Sequence, residues 1–441
     1  MLKYLVLVLA FTASGAANAA LKIQSWTLPT GVRVYFVENH SIPVLDVSVE
    51  FDAGARRDPA GKSGVASMTN AMLARGLREE KLADGSIEPA VAEAQISDGF
   101  ADIAAQRGGG ASMDRAGATL RTLSSNEERD RAVALLARVL AQPAFPQSLF
   151  DRDKARNLSA IREELTKPEA IAGKAFWKLL YQDHPYAQQE TVESVGAIQR
   201  DDLLEFHRRH YVANRAVVAL IGDITREQAD AIARELTRRL PQGTPLPAFP
   251  AVQKAVGAEQ RIPHPASQSH ILLGTPALAR SDPDFFPLTV GNYVLGGGGF
   301  VSRLTREVRE KRGLAYSVYS YFNPLAQAGP FQAGLQTQKA RTDDALKLVR
   351  ETIAAYLRDG PTEQELKAAK SNLIGGFPLR IDNNRKILDN VAMIGFYQMP
   401  LDYLDTWTAM VAKVTVADIR AAFNRKLGAN ALSTVIVGAP Q

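Results

Sequence analysis

A helix-into-strand unit occurs twice in this chain, and the interval between the copies sets the architecture. The segment Asp202-Leu-Leu-Glu-Phe-His-Arg-Arg-His-Tyr-Val-Ala-Asn214, continued by Ala216-Val-Val-Ala-Leu-Ile-Gly222, reads as a helix, a turn and a buried β-branched strand. At a constant offset of 216 residues, Asp202 to Asp418, the pattern returns with Ala429-Asn430 and Leu432-Ser-Thr-Val-Ile-Val-Gly438. A period of that length means two duplicated domains rather than a solenoid of short repeats.

Other segments fall into step with this duplication. Asp130 to Leu140 and Asp343 to Leu357 carry apolar residues at helical spacing. Each is followed by a Pro-containing break and a charged helix, Phe150 to Leu165 and Thr362 to Gly375. Val34 to Glu38 and Val44 to Phe51 read as strands on either side of a turn at His40 to Pro43. Strand runs followed by helix runs predict an α+β class, two duplicated domains each with a mainly antiparallel sheet packed against helices. The proline-dense stretch Pro241 to Pro250 reads as an extended linker. The predicted organisation is a signal peptide over 1–19, an N-terminal domain over 20–240, a linker over 241–258 and a C-terminal domain over 259–441.

At 441 residues and 46% hydrophobic content the chain can bury a large core. It has no cysteine, which removes disulfides, thiolate zinc sites and cysteine nucleophiles together. The net charge of +5 is spread along the sequence without a basic tract, so nucleic acid is not an expected partner. Lys3, the apolar run Leu5 to Ala13 and the small residues ending at Ala19 have the layout of a secretory signal, with cleavage expected after Ala19 and an uncleaved anchor as the alternative. The run is shorter than the roughly 20 residues of a bilayer span, so stable membrane insertion is not expected. Export without disulfides points to a periplasm.

The search for chemistry gives five regions. Gly64 to Arg75 has the apolar spacing of a helix that would bring positions 67, 70 and 71 to one side. These carry Ser67, Asn70 and Ala71, two poor zinc ligands and one residue with no ligating atom. Gly61-Lys62-Ser63 ends like a phosphate-binding loop, but the earlier glycine of that motif falls on Arg56. His207 and His210, three apart on a helix, lack an acidic companion at a metal-binding interval and read as helix-terminal cations. Gly296, Gly297, Gly298 and Gly299, between two helical segments, read either as a flexible turn or as a mobile loop at the mouth of a peptide chamber. Arg309 on a helix ended by Gly313, and Tyr316 at the start of a strand Tyr316 to Phe322, are both donors suited to peptide oxygen. The bland alternative pairs Arg309 with Glu307 or Glu310 and packs Tyr316 in its strand. No Gly-x-Ser-x-Gly elbow is present, which argues against a serine hydrolase.

Taken together, these segments resemble the pitrilysin/insulinase family of inverted-motif zinc peptidases, in its half-length branch similar to mitochondrial processing peptidase. The likeness rests on Gly61-x-x-Gly64-Val-Ala, His184-Pro-Tyr186, Leu295-Gly-Gly-Gly, Ser302-Arg-Leu and, most specifically, Arg309-Glu-Lys-Arg-Gly-Leu-Ala-Tyr316. Where the family has His-x-x-Glu-His, this chain has Ser67, Asn70 and Ala71, and Ala160 stands at the position of the later glutamate ligand. The resemblance therefore implies a non-catalytic subunit with no metal site and no catalytic residue on this chain alone. Zinc is expected in a homologous partner of a heterodimer, and Arg309 and Tyr316 are expected to hold a peptide or unfolded segment. Alternatives are a structural assembly subunit and a homodimeric peptide-binding protein.

Overall fold

The β-branched runs form the strands, and the fold repeats one strand order in both halves of the chain. The computed structural model describes residues 21–82, 84–253, 257–428 and 432–438. The segment read as a signal peptide and the Ala429-Asn430 turn lie outside them. In the N-terminal half the strands of the main sheet are β1 (Gln24–Thr27), β2 (Arg33–Glu38), β3 (Val44–Phe51), β4 (Gln106–Ala111), β5 (Ala116–Leu123) and β6 (Val217–Gly222). They assemble in the order β1-β2-β6-β3-β5-β4. In the C-terminal half β7 (Glu259–Ile262), β8 (Gln268–Leu278), β9 (Val318–Phe322), β10 (Gly329–Gln338) and β11 (Ser433–Val437) follow the order β7-β11-β8-β10-β9.

Setting β1 aside, the two orders match strand for strand. Each sheet has one parallel pair, β2 with β6 and β7 with β11, among antiparallel neighbours. The class is α+β, as the sequence predicts. The strands on either side of His40 to Pro43 are not direct neighbours, because β6 inserts between β2 and β3.

The helices used below are α1 (Val65–Met72), α2 (Asn126–Ala141), α3 (Gln147–Glu164), α4 (Pro168–Tyr181), α5 (Arg200–His210), α6 (Phe285–Asn292), α7 (Thr342–Asp359), α8 (Glu363–Gly376), α9 (Asn384–Tyr397) and α10 (Val416–Lys426). Strand alternation divides the first sheet between two cores. Val34, Phe36, Val218 and Leu220 pack with the N-terminal helices, whereas Tyr35, Val37, Val217 and Ala219 join a core built largely from the C-terminal half. The reason is a reciprocal exchange: α9 lies on β6 and β3, and α4 lies on β8 and β11. Contact is close enough that a Cβ at Gly395 of α9 would stand 2.7 Å from Tyr35 Cδ2. Each sheet thus buries one face under a helix that belongs, by sequence, to the other half.

The equivalent β4–β5 and β9–β10 hairpins meet at this junction. Asp114, buried in the first hairpin loop, accepts from Tyr186 Oη at 2.7 Å, Tyr397 Oη at 2.8 Å and the Ala326 N–H at 2.8 Å, and pairs with Arg56 at 2.9 Å. The proline-dense stretch has no regular structure and is held to the N-terminal half. Phe249 lies under the Arg57 guanidinium at 4.0 Å, and the Pro250 carbonyl is 3.1 Å from His184 Nε2.

The histidine pair on α5 departs from expectation. His207 and His210 are buried, Nε2 of His207 donating to the Leu140 carbonyl at 2.8 Å and Nδ1 of His210 lying 3.2 Å from the Asp52 carbonyl. Desolvation pushes both down to about 4, so they are neutral core residues rather than helix-terminal cations.

Candidate functional site

Helix α1 starts where Asp58 caps it, its carboxylate accepting from the Gly64 and Ala66 N–H groups at 2.7 Å each. Burial pushes the Asp58 carboxyl up to about 7 in spite of those bonds. On the helix that follows, Ser67 and Ala71 are exposed and Asn70 is buried. Asn70 Nδ2 donates to the Gly117 carbonyl at 3.0 Å and to Tyr211 Oη at 3.1 Å, so its amide ties α1 to β5 and to the end of α5. Ala160 is exposed on α3, and the neighbouring carboxylates are occupied, Glu163 by Lys167 at 2.8 Å and Glu164 by Lys174 at 3.4 Å. One exposed hydroxyl, one committed amide and two methyl groups do not fit a zinc ion. Among the described residues no group of three His, Cys, Asp or Glu side chains converges in a way that could hold a metal.

The C-terminal half presents a different surface. The helix bearing Arg309 is widened: the Lys311 N–H reaches the Arg306 carbonyl at 3.0 Å, and the Gly313 N–H closes on the Arg309 carbonyl at 2.9 Å with φ at 59°. Wide helical turns of this kind concentrate at functional sites. Glu307 is taken by Lys311 at 2.8 Å and Arg312 at 3.0 Å, and no carboxylate of the described residues pairs with Arg309. The Arg309 guanidinium instead lies between two rings, 4.8 Å from the Phe300 centroid and 5.0 Å from that of Tyr316.

Tyr316 precedes the strand rather than opening it, since pairing with β10 begins at Val318, opposite Leu335. The chain leaves the ladder because the Thr337 hydroxyl, not a backbone N–H, takes the Leu314 carbonyl, at 2.6 Å. Tyr316 is consequently 82% exposed, with its hydroxyl free to meet a ligand.

The glycines serve close approach more than freedom of motion. Gly296 and Gly297 belong to wide turns over Tyr293–Gly297 that continue α6, and a Cβ at Gly296 would fall 2.3 Å from Ser320 Oγ. The helix end is pinned there, Asn292 Nδ2 donating to the Ser320 carbonyl at 2.9 Å and Ser320 Oγ to Asn292 Oδ1 at 2.7 Å. Gly298 is equally crowded, and only Gly299 takes a left-handed φ of 60° with open space around it.

These pieces surround one cleft of about 460 Å³, lined by the glycine segment, Phe300, Arg309, Tyr316 and the side chains of β9. β9 is one of the two edge strands of its sheet. Tyr319 and Tyr321 lie along it with rings 6.0 Å apart and 12° from parallel. Phe300, Tyr319 and Tyr321 were not singled out by the sequence reading; the Tyr-Ser-Tyr alternation, which sends two rings to one side of a strand, was the available signal.

A family model described as the peptidase M16 inactive domain matches residues 197–373. The crystal structure of a peptidase M16 inactive domain from Pseudomonas fluorescens superposes with a TM-score of 0.89 at 36% identity, covering 96% of this chain and 98% of that one. The non-peptidase homolog YmxG of Helicobacter pylori is 27% identical over 99% of this chain and 98% of its own length. An uncharacterized zinc protease of Mycobacterium leprae is 29% identical over 92% and 90%. The periplasmic protease PqqL of Escherichia coli shares the fold, with a TM-score of 0.79 at 15% identity, 95% of this chain aligning with 45% of that one. With its likeness extending over nearly the whole length and its four metal-site positions filled by side chains that do not suit zinc, the chain belongs to the peptidase M16 family as a non-catalytic member.

Proposed function

We propose that this chain is the substrate-positioning subunit of a heterodimeric zinc metallopeptidase that acts on peptides or unfolded segments. The observation that carries the reading is the placement of Arg309, with no carboxylate partner among the described residues, beside the exposed Tyr316 in one cleft along an edge strand. A guanidinium fork and a phenol hydroxyl are both donors, and an extended peptide laid along β9 offers them carbonyl oxygens. Zinc belongs to a homologous partner carrying His-x-x-Glu-His, since the donor set of this chain does not suit it. The alignment with about half of PqqL supports a two-chain assembly, in which two half-length chains make up what a longer protease carries in one. The description of PqqL as periplasmic and the signal-like segment 1–19 support a periplasmic location. Among the described residues no helix is long and apolar enough to cross a membrane.

The test is reconstitution with a half-length homologue that carries the zinc motif, read as kcat/KM on an unstructured peptide. The pure chain is expected to show no chelator-sensitive hydrolysis and the pair to be active. In the pair, Arg309→Ala and Tyr316→Phe should each lower kcat/KM by about 10²-fold, the effect of removing one preorganised donor. Chelator-sensitive cleavage by the pure chain would refute the proposal. Unchanged activity of both variants in the pair would favour a structural assembly role instead.

A further inference from the structure

A second cavity, of about 470 Å³, opens where the two halves meet, and its walls are rich in guanidinium groups. Arg33, Arg56 and Arg215 come from the N-terminal half, and Arg280, Tyr397 and Gln398 from the C-terminal half. The one carboxylate in the lining, Asp52, is already committed to Arg57 at 2.5 Å and Arg56 at 3.1 Å, and Arg56 is also bound to Asp114. Arg33, Arg215 and Arg280 form no ion pair with any carboxylate of the described residues. Their bonds go to carbonyls alone: Arg33 to Gly395 at 2.9 Å, Arg280 to Pro324 at 3.3 Å, and Arg215 to Thr244 and Arg209. Each guanidinium has five N–H donors, so most of that capacity is unused. Nε of Arg215 and of Arg280 is buried without an acceptor.

Other partly buried arginines of this fold are compensated, Arg303 by Glu365 and Arg121 by Asp46. Leaving three uncompensated around one cavity is costly, since desolvated like charges repel and none is repaid by a counter-charge. Desolvation holds Arg215 and Arg280 below the usual guanidinium range, with neighbouring arginines adding to the effect and Asp52 opposing it at Arg215, Tyr397, Tyr403 and Asp114 at Arg280. The cavity wall also holds Gln398, which ends α9 in the left-handed region at φ 53° and ψ 46°.

We propose that this junction cavity binds a small oxyanion of two or more charges, a phosphate ester or a polycarboxylate, gripped by Arg33 and Arg215 from one half and Arg280 from the other. Planar forks match both oxyanion types, and the volume lies within the range of small-molecule sites. A ligand held from both sides stabilises the joined arrangement of the halves in proportion to its occupancy. The inference is independent of the Arg309 cleft and does not need the peptidase partner.

Calorimetric titration of the intact chain with pyrophosphate, and separately with citrate, tests it against chloride at matched ionic strength. One saturable site per chain is expected, with a raised melting temperature that chloride does not reproduce. Tighter pyrophosphate assigns the phosphate class, and tighter citrate the polycarboxylate class. Arg280→Gln and Arg33→Gln should each weaken binding about tenfold or more. Ser281→Asp places a carboxylate at an exposed lining position; it should abolish binding while keeping the ligand-free melting temperature at or above that of the parent. If the arginine variants fail to fold by circular dichroism, Ser281→Asp decides alone. Absence of saturable binding at millimolar concentration, or binding unchanged in the folded variants, overturns the proposal.

Discussion

The same strand order carries two different surfaces. Around α1 the N-terminal half shows methyl groups, an exposed hydroxyl and an amide absorbed into the core, while around β9 the C-terminal half keeps an arginine without a carboxylate partner among the described residues and an exposed tyrosine. The strand order does not separate the two regions, since each flanks the edge hairpin of a matching sheet, although the turns bearing Arg309 are widened where α1 is regular. The difference lies in which side chains the scaffold has turned to its own stability. Asn70 directs its donors to Gly117 and Tyr211, whereas Arg309 lies against aromatic rings and, among the described residues, keeps its side-chain N–H groups available.

The comparison presumes that the halves stand as one body, and the largest predicted effect addresses that. Asp114 is the acidic member of the contact between equivalent hairpins, holding Arg56, Tyr186, Tyr397 and the Ala326 N–H at once. Asp114→Asn removes the charge and leaves a buried guanidinium less compensated, a change that costs about 3 kcal/mol or more. Urea denaturation should show that loss with a single transition. Two separate transitions in the parent chain would break the picture of helices α4 and α9 exchanged between sheets.

Acid should weaken the fold first through groups of the N-terminal half. His207 and His210 have folded values near 4 against an ordinary 6.5, so the stability they contribute is present above pH 6.5 and is lost as pH falls toward 4. Asp58 runs the other way: its folded value near 7 lies above the ordinary 3.8, so its contribution is greatest below pH 3.8 and declines as pH rises to 7. Two histidines against one aspartate leave a net loss of about 1.4 kcal/mol per pH unit on acidification through the overlap, as an upper limit. Urea midpoints at pH 6.5 and 5 measure it, and His207→Gln should flatten the slope.

How much of this was legible in the sequence follows from what each signal encodes. The 216-residue offset announced two copies because buried β-branched strands and their helices repeat in composition, and the Arg309 to Tyr316 block was readable as a donor pair. Amphipathic spacing says that α4 and α9 each bury a face, but not which sheet receives it, so the exchange was invisible. The same spacing cannot tell a buried histidine at a helix end from a solvated one, which is why His207 and His210 were misread. Tyr316 looked like a strand residue by composition, and only the Thr337 hydroxyl bond to Leu314 takes it out of the ladder. Asp114 carries no local signal at all, its partners lying up to 283 residues away.

Smaller effects ask how far the N-terminal region has been rebuilt. Asn70→Ala should cost about 2 kcal/mol, because it strands the Gly117 carbonyl and the Tyr211 hydroxyl in a buried setting. That penalty would mark Asn70 as part of the core. A change within about 0.5 kcal/mol, an ordinary surface value, would show instead that the amide is dispensable and the position of the family's motif glutamate merely unused.

The smallest expected effect is the most informative about the backbone. Ser67 and Ala71 are exposed and four residues apart on α1, so Ser67→His with Ala71→His should alter stability by no more than about 0.5 kcal/mol. The spacing brings both imidazoles to one side of the helix, yet position 70 stays an amide turned toward Tyr211 and Ala160 still lacks a carboxylate. The double variant should therefore bind zinc weakly, by calorimetry, and show no chelator-sensitive hydrolysis, since neither a third ligand nor a general base accompanies the pair. Tight zinc binding without hydrolysis would mean that the scaffold still presents the geometry and that only side chains were lost. Failure of the variant to fold would mean that the packing around α1 has itself moved on.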